Sequence, residues 1–452
     1  MHAICAGKSV RCMRMLRQAC EEDGLLGKSL LMRIKMPSDA AAIIRELQKA
    51  GFEAYIVGGC VRDSLLKKKP SDWDITTSAT PEQVKSLFSV TIDTGIKHGT
   101  VTVLKNHVGY EVTTFRVDGT YSDGRHPDKV EFTPSLIEDL KRRDFTINAM
   151  AYNDKVGLVD KFGGERDLHK GIIRCVGDPM ERFSEDALRM MRAVRFSAQL
   201  GFFVDEDTYT AIRKLCANIK KVSAERIAKE FTKLVNSAHP ELMQIMYNME
   251  LTNYIIPEIN PLFAGDANHW HRILAVMSSI EDKDEKRKFD KRAAFLFYDF
   301  GGQTASRVLK RLKYDNDTIN YVSRLTDLLK RPFESSETEM RRTMNIAGDL
   351  MPVLDTIRLN LVLINEGELE VKDIADCQLM YKKIVKRGDA VSISQLKING
   401  DDLMELGIPK GKMIGDTLKY LLDEVIAHPY LNNKQQLSKL ALKYKEEVNE
   451  KL

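Results

Sequence analysis

Residues 55–75 read YIVGGCVRDSLLKKKPSDWDI, and the chemistry they could do is concentrated in Asp72 and Asp74. Carboxylates separated by one residue on an extended strand point to the same side. Side by side they repel each other unless a cation lies between them. A hard divalent ion such as Mg²⁺ takes oxygen ligands together with substrate phosphates, and so suits the pair. Upstream, an apolar strand (Tyr55 to Val57) meets Gly58 and Gly59. A glycine pair lets backbone N–H groups approach a phosphate closely. Taken singly, Asp-x-Asp is a common surface turn and Gly-Gly a common loop. The order strand, glycine pair, short helix (VRDSLL) and second strand carrying both acids is much rarer, and it points to phosphoryl-transfer chemistry.

Three further groups could share that chemistry. Glu111 lies in the strand-like segment YEVTTFR. Beside Asp72 and Asp74 it would complete a metal site or orient an attacking hydroxyl; the alternative is an edge-strand glutamate facing water. The basic run Lys141-Arg142-Arg143-Asp144 leads straight into the apolar segment FTINAMAY. A basic run is usually a solvated face, but this setting predicts an arginine held against a phosphate or a carboxylate. Finally, residues 185–195 read EDALRMMRAVR. On a continuous helix Asp186 and Arg189 are surface neighbours, with Arg192 and Arg195 extending the row. An acceptor beside a donor can mimic the edge of a nucleobase. The plainer alternative is an intrahelical ion pair of roughly a few tenths of a kcal/mol.

These residues must be positioned by a chain of 452 residues, too long for one compact core and suited to two to four domains. Charged residues make up 30% and hydrophobic ones 43%, ordinary for a soluble globular protein. A net charge of +4 permits a nucleic-acid partner without demanding one. The seven cysteines (Cys5, Cys12, Cys20, Cys60, Cys175, Cys216 and Cys377) are dispersed, with no CxxC pair, which suits reduced thiols in a cytoplasmic setting. No apolar run approaches the length of a membrane span. Strand-like alternation covers Ala54 to Val57, Trp73 to Thr76, Thr100 to Leu104, Gly109 to Arg116 and Lys129 to Phe132. From about residue 180 the pattern is helical almost throughout, as around Leu188 to Phe196, Ile227 to Val235 and Leu418 to Ile426. Ser38 and Asp39 are placed to cap a helix carrying Ile43, Ile44 and Leu47. The expected class is α+β, a small mixed-sheet head followed by an all-helical neck, body and tail.

Taken in order, GGCVRD with the downstream DWD, then RRDFTINAMA, EDALRMMRAVRFSAQLGF and Glu225-Arg226-Ile227 resemble the motifs of class II tRNA nucleotidyltransferases. These are the CCA-adding family within the polymerase β-like nucleotidyltransferases. The resemblance is dense over residues 55–235 and weaker beyond. It implies addition of CCA to tRNA from CTP and ATP by two-metal nucleotidyl transfer. Asp72 and Asp74 would bind the metal, Mg²⁺, and Gly59, Arg62 and Arg143 would contact the incoming nucleotide, with Asp144 supporting Arg143. Asp186 and Arg189 would read the base edge, Arg192 and Arg195 would support nucleotide binding, and Glu225 and Arg226 would brace the neck. The implied division is an extension over 1–35, a catalytic head over 36–170 and a nucleotide-recognition neck over 171–237. A helical body over 238–330 and a tRNA-binding tail over 331–452 follow. Removal of residues 1–31 is expected to leave nucleotide incorporation into tRNA intact; a large loss of turnover would reject a dispensable extension.

Within the family, Thr94 to Val101 (TGIKHGTV) resembles the segment typical of CCA-adding members, and Phe115 to Phe132 resembles the loop that switches specificity from C to A. Full CCA addition leads over A-addition alone and over poly(A) synthesis. A module that binds RNA without catalysis is the reading from a different class, and the full set of candidate residues speaks against it. His269-Trp270-His271 and Ala294 to Gly301 (AFLFYDFG) faintly resemble an HD phosphohydrolase with Tyr298-Asp299 where His-Asp is needed, a remnant without hydrolase activity. In the tail, Ile398 to Leu403 and Ile408 to Gly415 resemble a segment that meets the tRNA elbow, Lys410 and Lys412 adding charge; a helix cap is the alternative. Oligomeric state is not legible in the sequence.

Overall fold

A computed structural model describes residues 33–118, 130–365 and 370–449. Most of the expected N-terminal extension and residues 119–129 of the proposed switching loop lie outside the described residues. The chain divides into two compact units, Met1–Asn260 and Pro261–Leu452.

The first unit is built on strands β1 (Ala54–Val57), β2 (Ile75–Thr77), β3 (Thr91–Gly95), β4 (Thr100–Lys105), β5 (Val108–Thr114), β8 (Met150–Asn153) and β9 (Gly157–Asp160). They form one mixed sheet in the order β3-β4-β5-β2-β1-β8-β9. A two-stranded hairpin, β6 (Arg116–Asp118) with β7 (Val130–Phe132), stands apart from it. Strands β3, β8 and β9 are not among those foreseen. Edge strand β3 (TIDTG) is largely exposed and lacks apolar alternation, and β9 is short and half-buried throughout. β8 (MAYN) is buried at every position, so its sequence shows no period of two.

Alternation along β1 divides the core. Ala54 and Ile56 face one side, where helix α1 (Ser38–Lys49) lays down Ala40, Ile43, Ile44 and Leu47, all buried. Tyr55 and Val57 face the other and pack with Phe115, Leu136, Leu140 and Ala151. The expected cap of α1 differs: Pro37 occupies the N-cap and no side chain caps the helix. Asp39 is drawn away by Asn106, whose Nδ2 donates to both carboxylate oxygens at 2.9 and 3.1 Å.

Helices α2 (Gly59–Leu65), α3 (Pro81–Leu87), α4 (Leu136–Lys141) and α5 (Gly164–His169) interleave with the strands. α6 (Pro179–Glu185), α7 (Leu188–Leu200), α8 (Glu206–Leu215) and α9 (Ala224–Val235) follow, with a small parallel pair β10 (Ile172–Ile173) and β11 (Phe203–Val204). Their apolar residues recur at three- and four-residue spacing, as in α9, which buries Ile227, Ala228, Phe231, Leu234 and Val235.

The second unit is helical. Its C-terminal core gathers Leu403, Leu421, Leu422, Val425, Leu437 and Ala441 from Gly400–Glu405, Lys412–Ala427 and Lys434–Asn449. Asn399 caps the first of these, accepting from the N–H groups of Asp401 and Asp402 at 2.9 and 3.0 Å. Gly411, with φ 116°, is the N-cap of Lys412–Ala427 and sits in open space. No helix among the described residues is long and apolar enough to cross a membrane.

Candidate active site

The acidic pair lies just ahead of β2 rather than on it, because the strand partner runs out there. β1 and β2 are antiparallel, with Ile56 opposite Ile75. The ladder extends one residue further, since the Val57 N–H donates to the Asp74 carbonyl at 3.0 Å; beyond it Gly58 turns the chain into α2. β2 runs parallel to β5, with Ile75 beside Val112 and Thr76 beside Thr113. Continued by one residue, that register sets Asp74 level with Glu111, on the face that carries Thr76 and Thr113. Asp72, Asp74 and Glu111 are all exposed at this end of the sheet.

Their charges are felt mutually. The Asp74 carboxyl is pushed above the ordinary carboxylate range, first by partial dehydration, then by the Glu111 carboxylate, with Asp72 adding; Arg143 pulls it down. The donor set is all hard oxygen, which fits a cation of the Mg²⁺ type. Among the described residues no three carboxylate, thiol or imidazole groups converge at ligating range. Glu111 thus flanks the aspartates rather than closing a three-ligand cluster.

Arg143 stands beside this pair on the short segment after α4. Its Nη2 lies 3.4 Å from Asp139 Oδ2, and its Nε is buried without a hydrogen-bond partner. The glycine that makes room is Gly58, not Gly59. Gly58 has φ 78°, and a Cβ there would meet Arg143 Nη1 at 3.0 Å. A Cβ on Gly59 would make only an ordinary 3.7 Å contact with Arg62. The backbone-permissive position therefore serves the arginine as well as the turn.

Behind the sheet's open end, three of the predicted arginines gather on one ring. The guanidinium groups of Arg195, Arg62 and Arg192 lie 3.7, 5.2 and 5.3 Å from the centroid of Phe196. Three neighbouring cations are tolerable because each has an anion or acceptor. Arg62 donates to Asp63 at 2.8 Å and to Asn148 Oδ1 at 2.7 Å. Arg192 grips Asp144 Oδ2 through Nε and Nη2 at 2.7 and 2.6 Å. Arg195 pairs with Glu230 of α9 and donates to Gln199 at 2.6 Å. Asp144, 8% exposed, also accepts from the Phe145 N–H and from Asn148. Burial opposes its ionisation, but Arg192 outweighs burial and holds the carboxyl down at about 2.

The expected Asp186–Arg189 pairing on one helix is not what forms. α7 begins at Leu188, so Asp186 precedes it with extended backbone and its carboxylate turns elsewhere. Arg226 of α9 binds it with two donors at 3.3 and 2.7 Å, and the Leu188 N–H donates to it at 3.0 Å. Arg189, on the first turn of α7, donates to Glu185 at 2.6 Å and to the carbonyls of Arg182 and Arg142, each at 3.2 Å. Asp186 and Arg189 remain neighbours in the backbone, where the Arg189 N–H donates to the Asp186 carbonyl at 3.0 Å.

Asp139, Asn148, Phe196 and Glu230 are the site-shaping residues that sequence reasoning passed over. For Asp139 a signal exists: an acid three and four residues before Arg142 and Arg143 is the spacing of helical ion pairs. In the second unit, His269 meets Asp299 (Nε2 to Oδ2, 2.8 Å) at a cavity of about 400 Å³, while His271 bonds its own helix at Ala267.

Comparison with known proteins agrees with this arrangement. The model of the poly(A) polymerase head domain matches residues 54–174, and that of the "Probable RNA and SrmB- binding site of polymerase A" matches residues 201–263. The model of tRNA nucleotidyltransferase domain 2 matches residues 290–441. The CCA-adding enzyme of Ligilactobacillus salivarius is 39% identical over 414 residues, 90% of this chain and 96% of that protein. The CCA-adding enzyme of Bacillus velezensis is 36% identical, covering 88% and 96%. A crystal structure of the Bacillus stearothermophilus CCA-adding enzyme in complex with CTP superposes with a TM-score of 0.72 at 30% identity, covering 92% of this chain and all of that one. The nucleotidyltransferase family to which such heads belong typically uses metal ions. By these relations over nearly its whole length, the chain belongs to the CCA-adding enzymes, the tRNA nucleotidyltransferases that add CCA to tRNA.

Proposed function

We propose that this chain transfers C, C and A from CTP and ATP to the 3′ end of tRNA at Asp72 and Asp74, with Mg²⁺ as the ion they hold. The carrying observation is the register of β1, β2 and β5, which sets Asp74 level with Glu111 and beside Arg143 at an exposed sheet end. Bound there, the ion would make the 3′-hydroxyl more acidic and offset charge on the leaving pyrophosphate. Glu111 stands where it can orient that hydroxyl. Arg143 offers its guanidinium to the triphosphate. Arg62, Arg192 and Arg195 act less as direct ligands than as a stacked, charge-neutralised floor. Asp186 and Arg189 are the base readers, and reading requires Arg189 to turn a donor away from Glu185 or the Arg182 carbonyl. Head (36–170), neck (171–237), body (238–330) and tail (331–452) are the working division, and a cytoplasmic location fits the dispersed cysteines.

The test is incubation with labelled CTP or ATP, Mg²⁺ and tRNA lacking its 3′ end. Incorporation of two C residues followed by one A is the expected result. Incorporation of A alone, and only onto tRNA ending in CC, would overturn full CCA addition. No incorporation of either nucleotide would overturn catalysis at this site.

A further inference from the structure

Asp139 has no exposure at all, and four groups converge on it. It sits on α4, whose apolar residues Leu136 and Leu140 pack beneath the sheet, so its side chain enters between helix and strands. Oδ1 accepts from Arg142 Nε and Nη2 at 3.0 and 2.7 Å and from the Arg116 N–H at 3.4 Å. Oδ2 accepts from Thr76 Oγ1 at 3.2 Å and from Arg143 Nη2 at 3.4 Å. These contacts reach three different elements. Thr76 lies two residues after Asp74 on the catalytic strand, Arg143 is the cation whose field acts on Asp74, and Arg116 opens the hairpin strand β6. A fully buried anion is costly unless paired, and here two arginines and two neutral donors pair it. The Arg143 side chain keeps 20% exposure, so it is not wholly taken up by the buried carboxylate.

We propose that Asp139 is a positioning residue for nucleotidyl transfer: a buried anion that holds Arg143 in place beside Asp74 and ties that arginine to the catalytic strand through Thr76. Asp139 touches neither substrate nor metal; it acts through Arg143. The long 3.4 Å contact makes the hold electrostatic more than geometric, so charge at position 139 matters more than shape. This inference rests on the reading of Asp72, Asp74 and Arg143 given above.

The experiment is a double-mutant cycle on Asp139→Asn and Arg143→Ala, with kcat and the KM values for CTP and for tRNA lacking its 3′ end measured. Asn keeps the volume and, with its amide oxygen at the Oδ1 position, can still accept from the Arg116 N–H while its NH2 group can donate to Thr76 Oγ1, but it loses the charge. Asp139→Asn is expected to lower kcat about tenfold, with KM for tRNA within about twofold of wild type. In the Arg143→Ala background the same substitution is expected to change kcat by less than about twofold, since there is no arginine left to place. Multiplicative losses would mean that Asp139 acts without Arg143, and they would overturn the proposal, as would a wild-type kcat in folded Asp139→Asn. Thr76→Val supplies a second test, because it removes the hydroxyl that lies 3.2 Å from both the carboxylate and the Thr113 carbonyl, and retains a strand-forming side chain. It is expected to lower kcat about threefold, and an unchanged kcat would count equally against the idea. Asp72→Ala, run in parallel, separates the two readings. Turnover retained by Asp72→Ala sinks the active-site assignment, whereas an inactive Asp72→Ala with an additive cycle sinks only the role of Asp139.

Discussion

Asp72→Ala is expected to lower nucleotide incorporation by at least about a thousandfold, roughly 4 kcal/mol of transition-state stabilisation, while leaving tRNA affinity near wild type. Asp72 is exposed, and among the described residues its side chain accepts a hydrogen bond from the neighbouring Ser71 hydroxyl at 2.9 Å. Little folding energy is therefore at stake, within about 0.5 kcal/mol for such a surface position. The direction is opposite for its neighbour: with Asp72 gone, one of the like charges raising the Asp74 carboxyl disappears. The variant thus keeps its fold and loses its function. Affinity for tRNA is set mainly by neutralisation of phosphates, so removing a carboxylate does not weaken it. Incorporation of labelled CTP measured beside tRNA binding by fluorescence anisotropy checks both halves, and turnover retained in a folded variant would refute the metal-holding role of Asp72.

Asp144→Asn is expected to act through the opposite balance, losing stability first and activity as a consequence. The wild-type carboxylate is almost wholly buried and is gripped by Arg192 through two donors on one oxygen. Asparagine leaves that guanidinium, 34% exposed, against a neutral partner, at a cost of about 2 kcal/mol. The pH dependence carries a definite sign. The folded-state pKa of about 2 lies below the ordinary 3.8, so ionised Asp144 contributes stability that is fully present above the ordinary value. That contribution declines as pH falls from about 4 towards 2 and is gone below the folded-state pKa. Urea unfolding at pH 7 is expected to show the full difference between wild type and Asp144→Asn. At pH 3 the gap narrows, and a gap that widens on acidification would contradict the assignment. Activity is expected to fall as well, because Asn148 links Asp144 to Arg62, and Arg192 shares the Phe196 ring with Arg62 and Arg195.

How far the site was legible depended on the sequence distance over which each contact acts. Tyr55 to Asp74 could be read because strand, glycine turn, helix and acids are consecutive, and spacing of two constrains where adjacent carboxylates point. The seven-stranded sheet was only partly legible: edge strand β3 is polar, and buried β8 shows no alternation. The Asp186–Arg189 pairing failed for a definite reason. Helical phase predicts neighbours only within one continuous helix, and α7 starts two residues after Asp186. Its actual partner, Arg226, is 40 residues away on another helix.

By itself the sequence determined that two aspartates one residue apart, behind a strand and a glycine pair, are built for phosphoryl transfer, and that a mixed-sheet head precedes a helical remainder. The reason is that side-chain type, backbone permissiveness and periodicity are local properties. Only the tertiary structure decided which charge meets which: Glu111 level with Asp74 across β2 and β5, Gly58 rather than Gly59 beneath Arg143, and Arg226 on Asp186. The same holds for Asp139 beneath Thr76 and Arg143. Those pairings join residues brought together by strand register and helix packing, and Coulomb attraction between buried groups follows distance in space, not spacing along the chain.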